Sequence, residues 1–157
     1  MASGNTIAKF FPFDAEVPGS AFALQDVRNA HPILAYTSAN AQAFFTDIMP
    51  SVYTSGGMSL RIHWVVASAI TNSAGWRVSV ERGAAQDHDS DGFATAVTAA
   101  LVSANGTSGI PSISTVDVSG ASLDGVGAGD LYRIKLQGNG TTVTDIVQFL
   151  GMEIRET

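Results

Sequence analysis

The run Asp87-His88-Asp89-Ser90-Asp91-Gly92 spaces three carboxylates at alternate positions and closes on glycine. Hard cations such as calcium are held by converging carboxylates, and the glycine lets the loop turn tightly. A complete loop of this kind ends at its twelfth position on a bidentate glutamate, but Thr98 stands there. Asp87, Asp89 and Asp91 are therefore candidate ligands of a degenerate cation site. The other reading is an acidic surface loop in which Ser90 or Asp91 caps a following helix.

Other chemistry is thinly represented. His31, His63 and His88 share no metal-binding spacing. His63 lies on the outer side of an alternating segment beside Arg61, and His31 precedes Pro32 in a turn. No serine sits in a nucleophile-elbow pattern. Gly125-Val126-Gly127-Ala128-Gly129-Asp130 superficially resembles a phosphate loop, yet it lacks the Gly-Lys-Ser/Thr ending and leads into a strand. Asp117 and Asp124 are a possible acid pair whose geometry depends on the fold. With no cysteine in the chain, thiolate metal sites, disulfides and thiol nucleophiles are excluded. These readings predict no catalytic residues, no cofactor and no enzyme activity.

The aromatics are more informative. Lys9-Phe10-Phe11-Pro12-Phe13 packs three phenylalanines into four positions. Each large apolar side chain is worth about 1.5–3 kcal/mol when buried, so this segment should lie on something. Residues 1–18 are read as an extended N-terminal arm, and residues 19–157 as a single domain. Phe10, Phe11, Pro12 and Phe13 then rest either on the chain's own core or on a neighbouring subunit or shell.

Positioning these residues falls to strands. Met58, Leu60, Ile62, Trp64 and Val66 alternate with more polar positions, as do Trp76, Val78 and Val80. A short polar connection with Gly75 separates the two runs, so Met58–Glu81 reads as a β-hairpin. Leu131–Gln137 and Asp145–Arg155 read as a second pair around Gly138-Asn139-Gly140, with Ile146, Leu150, Met152 and Ile154 on one face. Gly151 suggests a bulge. Ala21–Arg28 and Pro32–Thr37 read as two short strands, and Ser112–Val118 as another. Asn40–Asp47 and Gly92–Ser103 read as short helices. The expected fold is all-β: an antiparallel, jelly-roll-like β-sandwich with one or two short helices.

Charge bounds the partners. The 157 residues include 8 Lys+Arg and 14 Asp+Glu, a net charge of −6, and only 14% are charged against about 25% in typical domains. An acidic chain is poorly suited to nucleic acid. No apolar run reaches the length of a membrane span. Residues 1–9 lack the order of a signal peptide, which predicts assembly in the cytoplasm.

Several runs carry a family resemblance. They are Phe44-Phe45-Thr46-Asp47-Ile48-Met49-Pro50, Tyr53, Leu60–Val65, Asn72–Arg82, Leu123-Asp124-Gly125, Ala128–Arg133 and Val147–Arg155. This order resembles small structural proteins of tailed bacteriophages over about residues 20–156. The resemblance implies a jelly-roll-like protein that decorates and cements the capsid exterior, bridging capsomers as a homotrimer bound to the major capsid protein. It implies a place on the outer surface of the virion. A receptor-binding or fibre-type virion protein acting on host-surface glycans is the alternative.

The acidic loop has a direct test. A ligand that binds the folded state must raise the melting temperature by mass action. The expected outcome is an unchanged melting temperature at millimolar calcium; an upward shift would mark Asp87, Asp89 and Asp91 as a cation site.

Overall fold

The computed structural model describes residues 4–54, 56–68, 71–83, 92–139 and 146–157. Twelve strands follow one another: β1 (Thr6–Phe10), β2 (Leu24–Arg28), β3 (His31–Tyr36), β4 (Gln42–Ile48), β5 (Met58–Val66), β6 (Ser73–Ala74), β7 (Trp76–Arg82), β8 (Val97–Thr98), β9 (Val102–Ser103), β10 (Ser112–Val118), β11 (Leu131–Gly138) and β12 (Val147–Glu156). Six form one sheet in the order β10-β5-β12-β3-β2, with β1 paired to the C-terminal half of β12. A second sheet runs β4-β11-β7-β8, and β6 pairs with β9. Every named strand pair is antiparallel. The chain is an antiparallel, jelly-roll-like β-sandwich. Among the described residues, no helix is long and apolar enough to cross a membrane.

Alternation places one large set of side chains between the sheets. Leu60, Ile62 and Trp64 of β5 meet Trp76, Val78 and Val80 of β7, all fully buried. Rings join the two layers. Tyr36 of β3 packs edge-on against Trp76 of β7 at 4.9 Å, and its hydroxyl donates to the Leu136 carbonyl of β11. Phe45 of β4 contacts Phe149 of β12 at 5.6 Å. The Trp64 indole N–H would be orphaned in this core, but it donates to buried Ser114 Oγ on β10 at 2.9 Å.

The strand positions agree with the alternation, but their pairing does not follow chain order. Met58–Glu81 is not a hairpin: β5 pairs with β10 and β12, whereas β7 pairs with β11 and β8. The β11–β12 connection likewise crosses between sheets. Each such pair buries a full apolar face, and arching across the sandwich sets those faces against each other. The short strands β2 and β3 do form a hairpin.

Neither helix expectation holds. Asn40–Asp47 contains β4, because its adjacent phenylalanines serve opposite faces. Phe45 enters the core while Phe44 lies outside against Phe93, 5.2 Å away. Gly92–Ser103 supplies only the two-residue strands β8 and β9, in keeping with its β-branched valines and threonine. The helical elements described are two 3-10 turns, Pro12–Asp14 and Gly120–Leu123.

The arm expected over residues 1–18 is not set apart from the domain in its described part, residues 4–18. Thr6–Phe10 is a sheet strand, and Phe10 is buried against Phe45 at 5.3 Å. The chain then runs beside the free edge of β4, exchanging backbone bonds at Glu16–Phe44 and at Ala21 and Ala23 with Gln42. An uncovered edge invites pairing with another chain, so this cover is protective. Phe10 and Pro12 thus belong to the chain's own fold, while Phe11 and Phe13 stay on the surface.

Opposite outcomes follow for neighbouring phenylalanines. Phe10→Ala should lower stability by about 3–5 kcal/mol in urea denaturation. Phe13→Ser should change it by less than about 0.5 kcal/mol. Equal costs would contradict this placement.

Candidate functional site

The outer face of the six-stranded sheet carries a walled groove. On β5, Arg61, His63 and Val65 point away from the core, opposite Leu60, Ile62 and Trp64. On β12 the alternation is broken. Phe149 pairs with Trp64 and Gly151 with His63, leaving Leu150 as an extra residue. This bulge switches the inward set from Val147 and Phe149 to Met152 and Ile154, and it leaves Leu150 on the outer face. Gly151 suits the position because a Cβ there would lie 3.2 Å from the Phe10 carbonyl oxygen and 3.3 Å from the Phe11 ring.

Two walls rise over this floor. One is the turn after β1, where the Asp14 carboxylate accepts the Phe11 N–H at 2.7 Å and Pro12 begins a 3-10 turn. The other is the segment preceding β10, clipped down by Arg28. Its guanidinium donates to the Val66 carbonyl and Gln148 Oε1, both at 2.8 Å, and to Ser108 Oγ at 2.6 Å. Ile33 and Val65 point outward yet are nearly inaccessible.

Three hollows lie between the walls, of about 410, 340 and 370 Å³, and Leu150 lines all three. Phe11, His63 and Pro111 border the first; Arg28, His31 and Val65 the second; Pro12 and Pro32 the third. Glu153, at one end, is engaged by the Thr6 hydroxyl at 2.7 Å and by Arg155 at 2.7 Å, with Arg61 at 4.0 Å.

His31 and His63, far apart in sequence, both line this groove. Phe11 and Pro12 line it, Phe10 is in the core, and Phe13 projects into solvent with 69% exposure. Asp87, Asp89, Asp91 and His88 lie outside the described residues. Among the described residues, no three His, Asp or Glu side chains converge as metal ligands would. Asp117 and Asp124 are not brought together. Asp117 sits on β10 opposite Ser59, whereas Asp124 accepts the Arg82 N–H on β7. Simple alternation along β12 places Leu150 inward; the bulge at Gly151 turns it outward.

No tryptophan or tyrosine, the rings common at sugar sites, lies on the surface. Trp64, Trp76, Tyr36, Tyr53 and Tyr132 are all buried. Burial pushes the Tyr36 and Tyr132 phenols well above their ordinary range. On the other sheet's outer face, Arg133 is closed upon itself. It lies over the rings of Phe44 and Phe93 at 5.0 and 5.5 Å and pairs with Glu81 at 3.0 Å.

No family model and no curated relative matches this chain. Its fold is shared with carbohydrate-binding modules of known structure. A family 6 module from Clostridium cellulolyticum, solved with xylose, aligns over 96% of this chain and 98% of its own at TM-score 0.59 and 9% identity. The xylan-binding module CBM15 aligns over 98% of each chain at TM-score 0.62 and 12% identity. A module of Cellvibrio mixtus lichenase 5A, solved with cellotriose, aligns over 98% of this chain and 99% of its own at TM-score 0.54 and 11% identity. At such identities the likeness is one of fold.

The ionisable groups predict a stability plateau. The Gly127 N–H and then Arg82 hold Asp130 below the usual carboxylate range, and the Thr6 hydroxyl and then Arg155 do so for Glu153. A depressed folded-state pKa gives stability that is present above the unfolded carboxylate value, about 4, and lost as pH falls below it. The raised phenols act in reverse, contributing below about pH 10 and losing that contribution above it. Melting temperature should be level from about pH 5 to 9 and fall on both sides, with a shallower acid fall in Asp130→Asn.

Proposed function

We propose that this chain is a docking protein of a bacteriophage particle, decorating the capsid exterior and bridging capsomers as a homotrimer. The observation that carries this reading is the apolar groove on the outer face of the six-stranded sheet. It is walled by Phe11 and floored by Leu150. Apolar anchors in water-excluding hollows are what protein interfaces use for affinity. Several weak contacts made at once by a symmetric assembly multiply that affinity. The sequence resemblance to phage structural proteins and the low charge support the same reading. It is a reading of binding and not of catalysis: Asp124, Asp130 and Glu153 are taken up by backbone, hydroxyl or guanidinium donors.

A second reading, recognition of host-surface glycans, is favoured by the sugar ligands of the structural neighbours. The burial of every tryptophan and tyrosine weighs against it, since sugar rings are usually held by such platforms.

Immuno-electron microscopy of particles separates the two. The decorating role predicts label over the whole shell, and fewer bound copies when Phe11 and Phe13 are both changed to Ser. Label confined to the tail, with binding of xylo-oligosaccharides by the isolated chain, would overturn it in favour of the glycan reading. Deleting residues 1–18 is unsuitable as a test, because it removes β1 and the core residue Phe10.

A further inference from the structure

We infer that the groove on the outer face of the six-stranded sheet holds an extended acidic peptide segment of a partner protein, anchored by aliphatic side chains. The inference rests on the docking reading above and gives the partner its chemistry.

Charge is the first argument. The chain as a whole carries −6, yet this groove is bordered by Lys9 and Arg28, with His31 and His63 beside them. Its bordering carboxylate, Glu153, accepts from Thr6 and Arg155, lies beside Arg61 and stands opposite Lys9 across the β1–β12 pair. Asp14 and Asp26, on the flanking turn and strand, each accept a backbone N–H, of Phe11 and Val27. Asp117 stands on the edge strand β10. The residues that line the hollows count Lys9 and Arg28 against Glu153, a balance of +1 in a chain of net −6, so an incoming carboxylate is favoured at this lining.

Shape and polarity are the second argument. All three hollows have Leu150 in their lining, so they cluster around one aliphatic side chain. Alternate side chains of an extended peptide project to opposite sides, which lets one set enter such hollows while the other reaches the rim. Pro12, Pro32 and Pro111 contribute walls with no backbone N–H. A sugar buried there would leave hydroxyls unpaired, at a cost that aliphatic side chains do not incur.

The test measures fluorescence anisotropy of labelled octapeptides against the full chain. The probes are an alternating Leu/Glu peptide, its Leu/Lys counterpart and an all-Glu peptide, with xylohexaose as competitor. The Leu/Glu peptide should bind at least tenfold more tightly than either other peptide, and xylohexaose should not displace it. Leu150→Glu should weaken binding at least tenfold, Lys9→Glu several-fold, and Ile48→Ser, exposed on β4 of the other sheet, should leave it unchanged. Leu150→Ala serves if Leu150→Glu melts at a much lower temperature. Equal binding of the Leu/Lys peptide, displacement by xylohexaose, or full binding by both Leu150 variants would overturn the inference. So would a Leu150 variant whose only change is loss of self-association in sedimentation, since the occupant would then be a second copy. Particles fully decorated by Leu150→Glu would sink the groove while leaving the decorating role intact. A chain missing from the shell that still binds the Leu/Glu peptide would do the reverse.

Discussion

The structure depends on the aromatic layer between the two sheets. Tyr36 against Trp76 and Phe45 against Phe149 join strands that never pair by backbone, and Trp64 lies buried within the same core. These contacts are non-local, so the sandwich is held by rings contributed from across the chain. The choice has a consequence for the surface. With every tryptophan and tyrosine committed to the interior, the exposed aromatics are phenylalanines, which have no polar tip. What the chain offers a partner is therefore apolar area and shape.

That layer also explains what could be read in advance. Alternation reports which face of a strand is buried, and β5, β7, β10 and β11 lie where the pattern puts them. It says nothing of which strand sits alongside. A hairpin and an arch between sheets share the same inward set and the same short polar connection. Trp64 and Trp76 belong to the same core but to different sheets. The two misread helices share another cause. Phe44-Phe45 looks continuous in sequence, but one ring closes the core and the other caps Arg133 outside. An apolar residue on a strand's outer face mimics a helical stripe whenever another segment folds over it, as Phe93 does here.

The groove was legible only in part. Phe11, His31 and His63 stood out as residues, but nothing in their spacing joins them. They are brought together because β1 takes up the side of β12 that β3 leaves, which lays Phe11 beside the β2–β3 hairpin. The bulge at Leu150 is the hinge of the arrangement. One inserted residue flips the parity of β12, keeps Phe149 and Met152 both inside, and leaves a leucine on the solvent side. Carrying strict alternation through Gly151 puts that leucine in the core and erases the groove.

The low charge takes on a definite meaning in this light. The cations act mainly as fasteners. Arg28 clips a loop to the sheet, Arg82 ties β7 to Asp130, and Arg133 closes a ring pair with Glu81. Arg155 and Thr6 hold Glu153. Charges spent this way do little to solvate the surface. The surface around them carries Phe11, Phe13, Val17, Phe22, Val27 and Ile48 exposed to water. Scattered singly, such residues would mean little. Here Phe11 and Leu150 share a walled depression, and the few cations at its rim bias which partner can enter. The sparse charge is thus a redistribution: fastening inside the fold, and, on the docking reading, selection at the groove around Leu150.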